Sequence, residues 1–124
     1  MAGFDTSANE LSPYMNFVTQ HLFTTSHSFQ HTIYPWAHRF SNQRTAEANF
    51  RSVSIPDVVP RPSSTFRLLE QDFLNIKEGG YDYIVTQFFI DASSNTVSII
   101  EQIHKLLSPH GRWINLGPLL WAGG

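Results

Sequence analysis

The run YDYIVTQFFI at 81–90 constrains the fold of this chain more than any other feature. It is a nearly continuous series of β-branched and aromatic residues, the pattern of a strand buried on both faces of a parallel sheet. Ala92, Ser93, Ser94 and Asn95 follow as helix caps, and Val97, Ile100, Ile103, Leu106 and Leu107 mark the expected buried stripe of a helix. Pro109, His110 and Gly111 end that helix, and RWINL at 112–116 is the next strand, broken by Gly117 and Pro118. Strand, helix and strand in this order form a βαβ unit whose two strands lie parallel in one sheet, so the fold class is α/β.

The signals upstream are more mixed. Residues 3–8 are a candidate short strand, and Ser12 with Pro13 opens a helix, because Ser caps well and the missing proline N–H would be unpaired there anyway. The helix carries Tyr14, Met15, Phe17, Val18, Leu22 and Phe23 at apolar spacing and is expected to stop near Thr24. Residues 25–64 are irregular, broken by Pro35, Pro56, Pro60 and Pro62, with enough aromatic anchors to read as an ordered insertion. Residues 66–69 form a candidate strand, and 72–78 a short helical turn capped by Asp72 and closed by Gly79 and Gly80.

Composition removes several function classes. The 124 residues suit one domain, and 41% apolar with 15% charged residues is a globular balance. Eight Lys and Arg against ten Asp and Glu give a net charge of -2, with no basic patch to hold a phosphate backbone, so nucleic acid is not an expected partner. The chain has no cysteine, which excludes disulfides and thiolate metal sites. No apolar run reaches the roughly 20 residues that span a bilayer, and the opening MAGFDTSANELS does not read as a secretory signal. A membrane is therefore not expected as a partner; the expected location is the cytoplasm, with the nucleus also open. The oligomeric state is not set by anything in the sequence.

Ligands of open parallel sheets collect at the carboxyl ends of the strands. Acids recur at those positions: Glu10 after the first candidate strand, Asp72 with Phe73 after 66–69, and Asp91 after 81–90. Each could equally be a helix cap or a first-turn residue favoured by the helix dipole, and for Asp72 alone the cap is the simpler reading. Their recurrence suggests a nucleoside-like ligand with hydroxyl and amino donors, the three carboxylates lying along one sheet edge. His27 and His31 are four apart, a zinc spacing only on a helix, whereas TTSHSFQHT reads as a loop, so no metal is assigned. Trp36, Trp113 and Trp121 read as packing residues.

Beyond spacing, the stretch FFIDASSNTVSIIEQIHKLLSPHGRWINLGPLL at 88–120 resembles the signature of the carnosine N-methyltransferase family, in which FFID is followed by a helix, a Pro-Gly turn and WINxGPLL. ANELSPYM at 8–15 is similar to the family's NEFSxYM, and IYPWAHRFSN at 33–42 to its YPW-to-SN segment. IPDVVP and the EQDF of 70–73 resemble its PDV and GDF. The resemblance implies a Rossmann-like, S-adenosylmethionine-dependent methyltransferase sheet and methyl transfer to the imidazole of carnosine or similar His-containing dipeptides. Glu10 would then take the ribose hydroxyls, Asp72 the adenine amino group, Phe73 would pack on the base and Tyr83 would line the adenosyl group. Asp91 would contact the substrate imidazole as the catalytic residue.

The sequence also departs from that pattern. The family's glycine-rich strand loop would precede Gly3, and no GxGxG segment occurs in the chain. Where the family continues GPLLYH, this chain has Trp121 and Ala122 in place of the Tyr and His. The expectation is a partial methyltransferase domain over 1–124, lacking the first strand and the last strands of the sheet, and inactive by itself. The alternative is a non-catalytic binding module or a degenerate methyltransferase paralogue.

Overall fold

A computed structural model describes residues 3–39, 41, 44–118 and 120. Trp121 and Ala122, and with them the departure from GPLLYH, lie outside the described residues. The chain divides into two compact units, Met1–Ala8 with Ser12–Leu68 and Asn9–Leu11 with Leu69–Gly124. The fold is mixed α/β, with three two-stranded sheets among the described residues.

In the first unit, helix α1 (Pro13–Phe23) starts and stops where its caps require. Ser12 accepts from the Met15 N–H at 3.4 Å, and the Thr24 hydroxyl donates to the His21 carbonyl at 2.7 Å. Its face is not the expected one. Tyr14, Met15, Phe17 and Val18 are exposed, and Asn16 is buried instead. Among the described residues of 25–64, β2 (His31–Ile33) pairs antiparallel with β3 (Val53–Ile55), and the short helix α2 (Ala46–Asn49) is capped by Thr45. The Arg51 guanidinium lies over the Trp36 ring at 4.2 Å, so this tryptophan anchors the loop by packing and cation–π attraction.

Strand β1 (Thr6–Asn9) pairs with β4 (Phe66–Leu69). The Thr6 N–H donates to the Thr65 carbonyl and the Glu10 N–H to the Leu69 carbonyl, each at 3.0 Å, so both strands advance in the same direction. The 72–78 turn is shorter than expected, a single 3₁₀ turn at Phe73–Asn75.

The second unit holds the clearest element. Strand β5 (Tyr81–Gln87) pairs parallel with β6 (Leu107–Leu116), and helix α3 (Thr96–Leu106) connects them. Strand β5 ends earlier than the apolar run 81–90 implied, and β6 starts earlier than 112. The Pro109-His110-Gly111 turn survives as a bulge inside β6: Tyr81 pairs with Leu107 but Tyr83 with Arg112. A Cβ on Gly111 would lie 2.7 Å from the Tyr81 carbonyl oxygen, so only glycine fits this bulge.

Asn95 caps α3, its side chain accepting from the Ser98 N–H at 3.1 Å. The buried stripe is Ile99, Gln102, Ile103 and Leu106, whereas Val97 and Ile100 are exposed. Gln102 tolerates burial because its amide donates to the carbonyls of Ile76 at 2.8 Å and Phe73 at 3.3 Å. Ile90, Ile99 and Ile103 form the core, with Phe73, Ile84, Phe89, Leu107 and Trp113 packed against it. Ile103 is 2% exposed. Ile103→Ala should therefore cost about 2–5 kcal/mol in urea unfolding, and a loss below about 1 kcal/mol would mean that this core does not hold the unit together.

The expectation of a strand buried on both faces is met on one face only. Ile84 and Thr86 are covered, while Tyr83 and Val85 on β5 and Ile114 and Leu116 on β6 are exposed.

Candidate functional site

The carboxyl ends of β5 and β6 are joined by two contacts. The Phe88 N–H donates to the Leu116 carbonyl at 2.8 Å, and the Leu120 N–H donates to Asp91 Oδ2 at 3.1 Å. Asp91 sits on a 3₁₀ turn (Ile90–Ala92) directly after β5, with Ile90 buried beneath it and its own side chain half-buried. Among the described residues Oδ1 has no hydrogen-bond partner, so an acceptor remains for a ligand N–H.

The turn that delivers Asp91 is unusual. Phe88 has a φ of 50°, a left-handed conformation that costs a bulky residue roughly 1–2 kcal/mol. Gly117 faces it with a φ of 141°. Nothing in the run QFFID signals the Phe88 turn, and Gly117 reads from sequence only as a strand breaker.

Beside this edge runs a short polar chain. The Trp113 indole N–H donates to Thr86 Oγ1 at 2.8 Å, and Thr86 donates its hydrogen to Asn115 Oδ1 at 2.8 Å. An indole can only donate and a hydroxyl has one hydrogen, so the order fixes Asn115 with its amide N–H groups pointing away from Thr86. Trp113 thus packs, as expected, and also orients Asn115, which sequence reasoning missed.

Glu10 and Asp72 follow the paired strands β1 and β4. Glu10 continues the ladder through its N–H bond to Leu69 and is half-buried. Asp72 caps the 3₁₀ turn, its Oδ1 accepting from the Leu74 N–H at 2.9 Å, which is the simpler of its two sequence readings. Phe73 is half-buried, its ring meeting Phe89 edge-on at 5.4 Å. Tyr83 is 56% exposed near the amino end of β5 and is not brought to the carboxyl edge where Asp91 lies. The single edge expected for the three carboxylates is also corrected, since β1–β4 and β5–β6 belong to separate sheets. Each pair still carries its acid just beyond a strand end.

Among the described residues, no three His, Asp or Glu side chains gather in a way that could hold a metal ion. No helix among them is long and apolar enough to cross a membrane. The comparisons with known proteins add the family. A family model described as carnosine N-methyltransferase matches residues 1–123. Carnosine N-methyltransferase from Mus musculus is 38% identical over 127 residues, covering 98% of this chain and 32% of the relative. Carnosine N-methyltransferase unmet from Drosophila melanogaster is 35% identical, over 96% of this chain and 27% of its own length. The Schizosaccharomyces pombe protein of the same name is 35% identical, with 96% and 35% covered. The chain spans about a third of the length of the mouse and yeast relatives it matches. A match that runs from one end of the chain almost to the other, through the acids and the loop that holds Asp91, leaves no doubt of kinship: the chain belongs to the carnosine N-methyltransferase family.

Proposed function

We propose that this chain is the part of an S-adenosylmethionine-dependent N-methyltransferase that presents Asp91 to the imidazole of carnosine or a similar His-containing dipeptide, and that it is inactive by itself. The observation that carries the reading is the state of Asp91: half-buried at the end of a parallel strand, one oxygen tied to Leu120 and the other without a hydrogen-bond partner among the described residues. An anion at that place orients an imidazole by accepting one ring N–H, which leaves the second nitrogen with its lone pair exposed for methylation.

The fold we assign is the Rossmann-like methyltransferase sheet, with 1–124 as a partial domain. The parallel β5–α3–β6 unit and the co-directional β1–β4 pair favour it. Glu10 and Asp72, acceptors beyond the ends of β1 and β4, suit the hydroxyl and amino donors of an adenosyl group. Glu10 would hold the ribose, Asp72 the adenine amino group through the oxygen not used for its cap, and Phe73 would pack on the base. Tyr83 has no such support from its position. When bound, S-adenosylmethionine supplies a methyl group already activated by its sulfonium. What the chain adds is alignment, exclusion of water and an acceptor for the imidazole proton. We place the protein in the cytoplasm, with the nucleus also open, acting on a small-molecule substrate without nucleic acid or membrane.

The test is a hybrid in which this chain replaces the matching segment of the mouse relative. Transfer of labelled methyl from S-adenosylmethionine to carnosine is the expected result. A folded hybrid that binds S-adenosylmethionine and transfers nothing would overturn the proposal in favour of a non-catalytic paralogue.

A further inference from the structure

We infer that Gly117 and the left-handed Phe88 form a clamp that positions Asp91, so that one carboxylate oxygen is spent on Leu120 and the other is presented to the substrate. The inference rests on the assignment of Asp91 to the substrate imidazole. Neither clamp residue touches substrate in this reading; both are positioning residues.

The geometry is tight. A Cβ built on Gly117 would lie 3.0 Å from the Phe88 Cα and 3.0 Å from the Phe88 nitrogen, both backbone atoms that cannot rotate away. Any side chain at 117 must push the Phe88 backbone back by a few tenths of an ångström, and φ at 117 is itself suited to glycine. Phe88 cannot retreat without loosening its N–H bond to Leu116. Asp91 lies within one turn of Phe88, and Leu120 equally close to Gly117, so a shift at the first contact is passed to the Asp91–Leu120 bond. The 88–91 segment is thus held at one end by Gly117 and at the other by Leu120, and the position of Oδ1 is set by the closeness of Gly117 to Phe88. Phe88 is 62% exposed, so what matters at 88 is the backbone turn and not the ring.

Three substitutions separate these roles. Gly117→Ala should speed amide exchange at Leu120 in the full chain by roughly tenfold. In the mouse hybrid it should lower kcat/KM for carnosine on the order of 100-fold, with S-adenosylmethionine affinity unchanged, because a misplaced group acts on the chemistry and not on the cofactor. Phe88→Asn, which accepts a left-handed backbone, should keep both the Leu120 protection and the turnover; Phe88→Val, which does not, should lose both. Retained protection and turnover in Gly117→Ala would overturn the clamp, as would equal losses in Phe88→Asn and Phe88→Val. If Gly117→Ala fails to fold, the contrast between the two Phe88 variants decides. An unsubstituted hybrid without turnover would defeat the functional reading alone, and Leu120 exchange in the full chain would still decide the clamp.

Discussion

Asp91→Ala in the mouse hybrid is expected to lower methyl transfer to carnosine by about 10²–10⁴-fold, the range typical of a positioned acid or base, while S-adenosylmethionine binds as before. The carboxylate is half-buried, so its attraction for an imidazole N–H is less screened than on the open surface. Its loss removes both the orientation of the ring and the preference for one tautomer. The adenosyl group would be held by Glu10 and Asp72 on other strands, which the substitution does not touch. Asp91→Asn sharpens the test: the amide oxygen can still take the Leu120 N–H, but the negative charge is gone, so turnover should fall while the loop stays closed. Kinetics with labelled cofactor and calorimetric titration of S-adenosylmethionine give the two readouts. Equal losses in transfer and in cofactor affinity would contradict the assignment of Asp91 to the substrate.

How much of this was legible in the sequence depends on whether the cause is local. The starts of α3 and α1 were readable because Asn95, Ser12 and Pro13 act within a turn of themselves. The buried face of α3 was not. Val97, Ile99, Ile100, Ile103 and Leu106 spread apolar groups over about half of the helix circumference, so periodicity alone permits more than one stripe, and packing against Ile90 and Trp113 chose among them. The burial of Gln102 depends on carbonyl partners, on Phe73 and Ile76, that are distant in sequence. The end of β5 was overrun for a similar reason: FFI continues the apolar run, and only the contact with Gly117 explains why the chain leaves the sheet at Phe88. The acids Glu10, Asp72 and Asp91 were recognisable from their places after strands and from the family resemblance. That Asp91 has one oxygen engaged is a tertiary fact, set by a bond to Leu120 that no spacing reveals.

The full chain by itself should give no methyl transfer to carnosine above background, whereas the hybrid should turn over. The acids proposed for the adenosyl group follow β1 and β4, the acid proposed for the substrate follows β5, and the two pairs lie in separate sheets. No strand of the described residues joins them into the continuous edge along which a cofactor and a substrate could be aligned. The β5–β6 pair itself shows an apolar face, with Val85 65%, Ile114 50% and Leu116 60% exposed. Parallel strands normally have both faces covered, and the described residues leave this face without a covering layer. No GxGxG segment is present to bring backbone amides to the methionine end of the cofactor. Each deficit loosens placement, and a displacement of about 1 Å already costs on the order of 100-fold in rate. The measurement is a radiolabel assay with carnosine and related His dipeptides, run on the chain, on the hybrid and on the chain extended upstream by a strand and a glycine-rich loop. Turnover by the chain alone comparable to that of the extended form would show that the site is complete within these residues and that the added strand is not needed to align it.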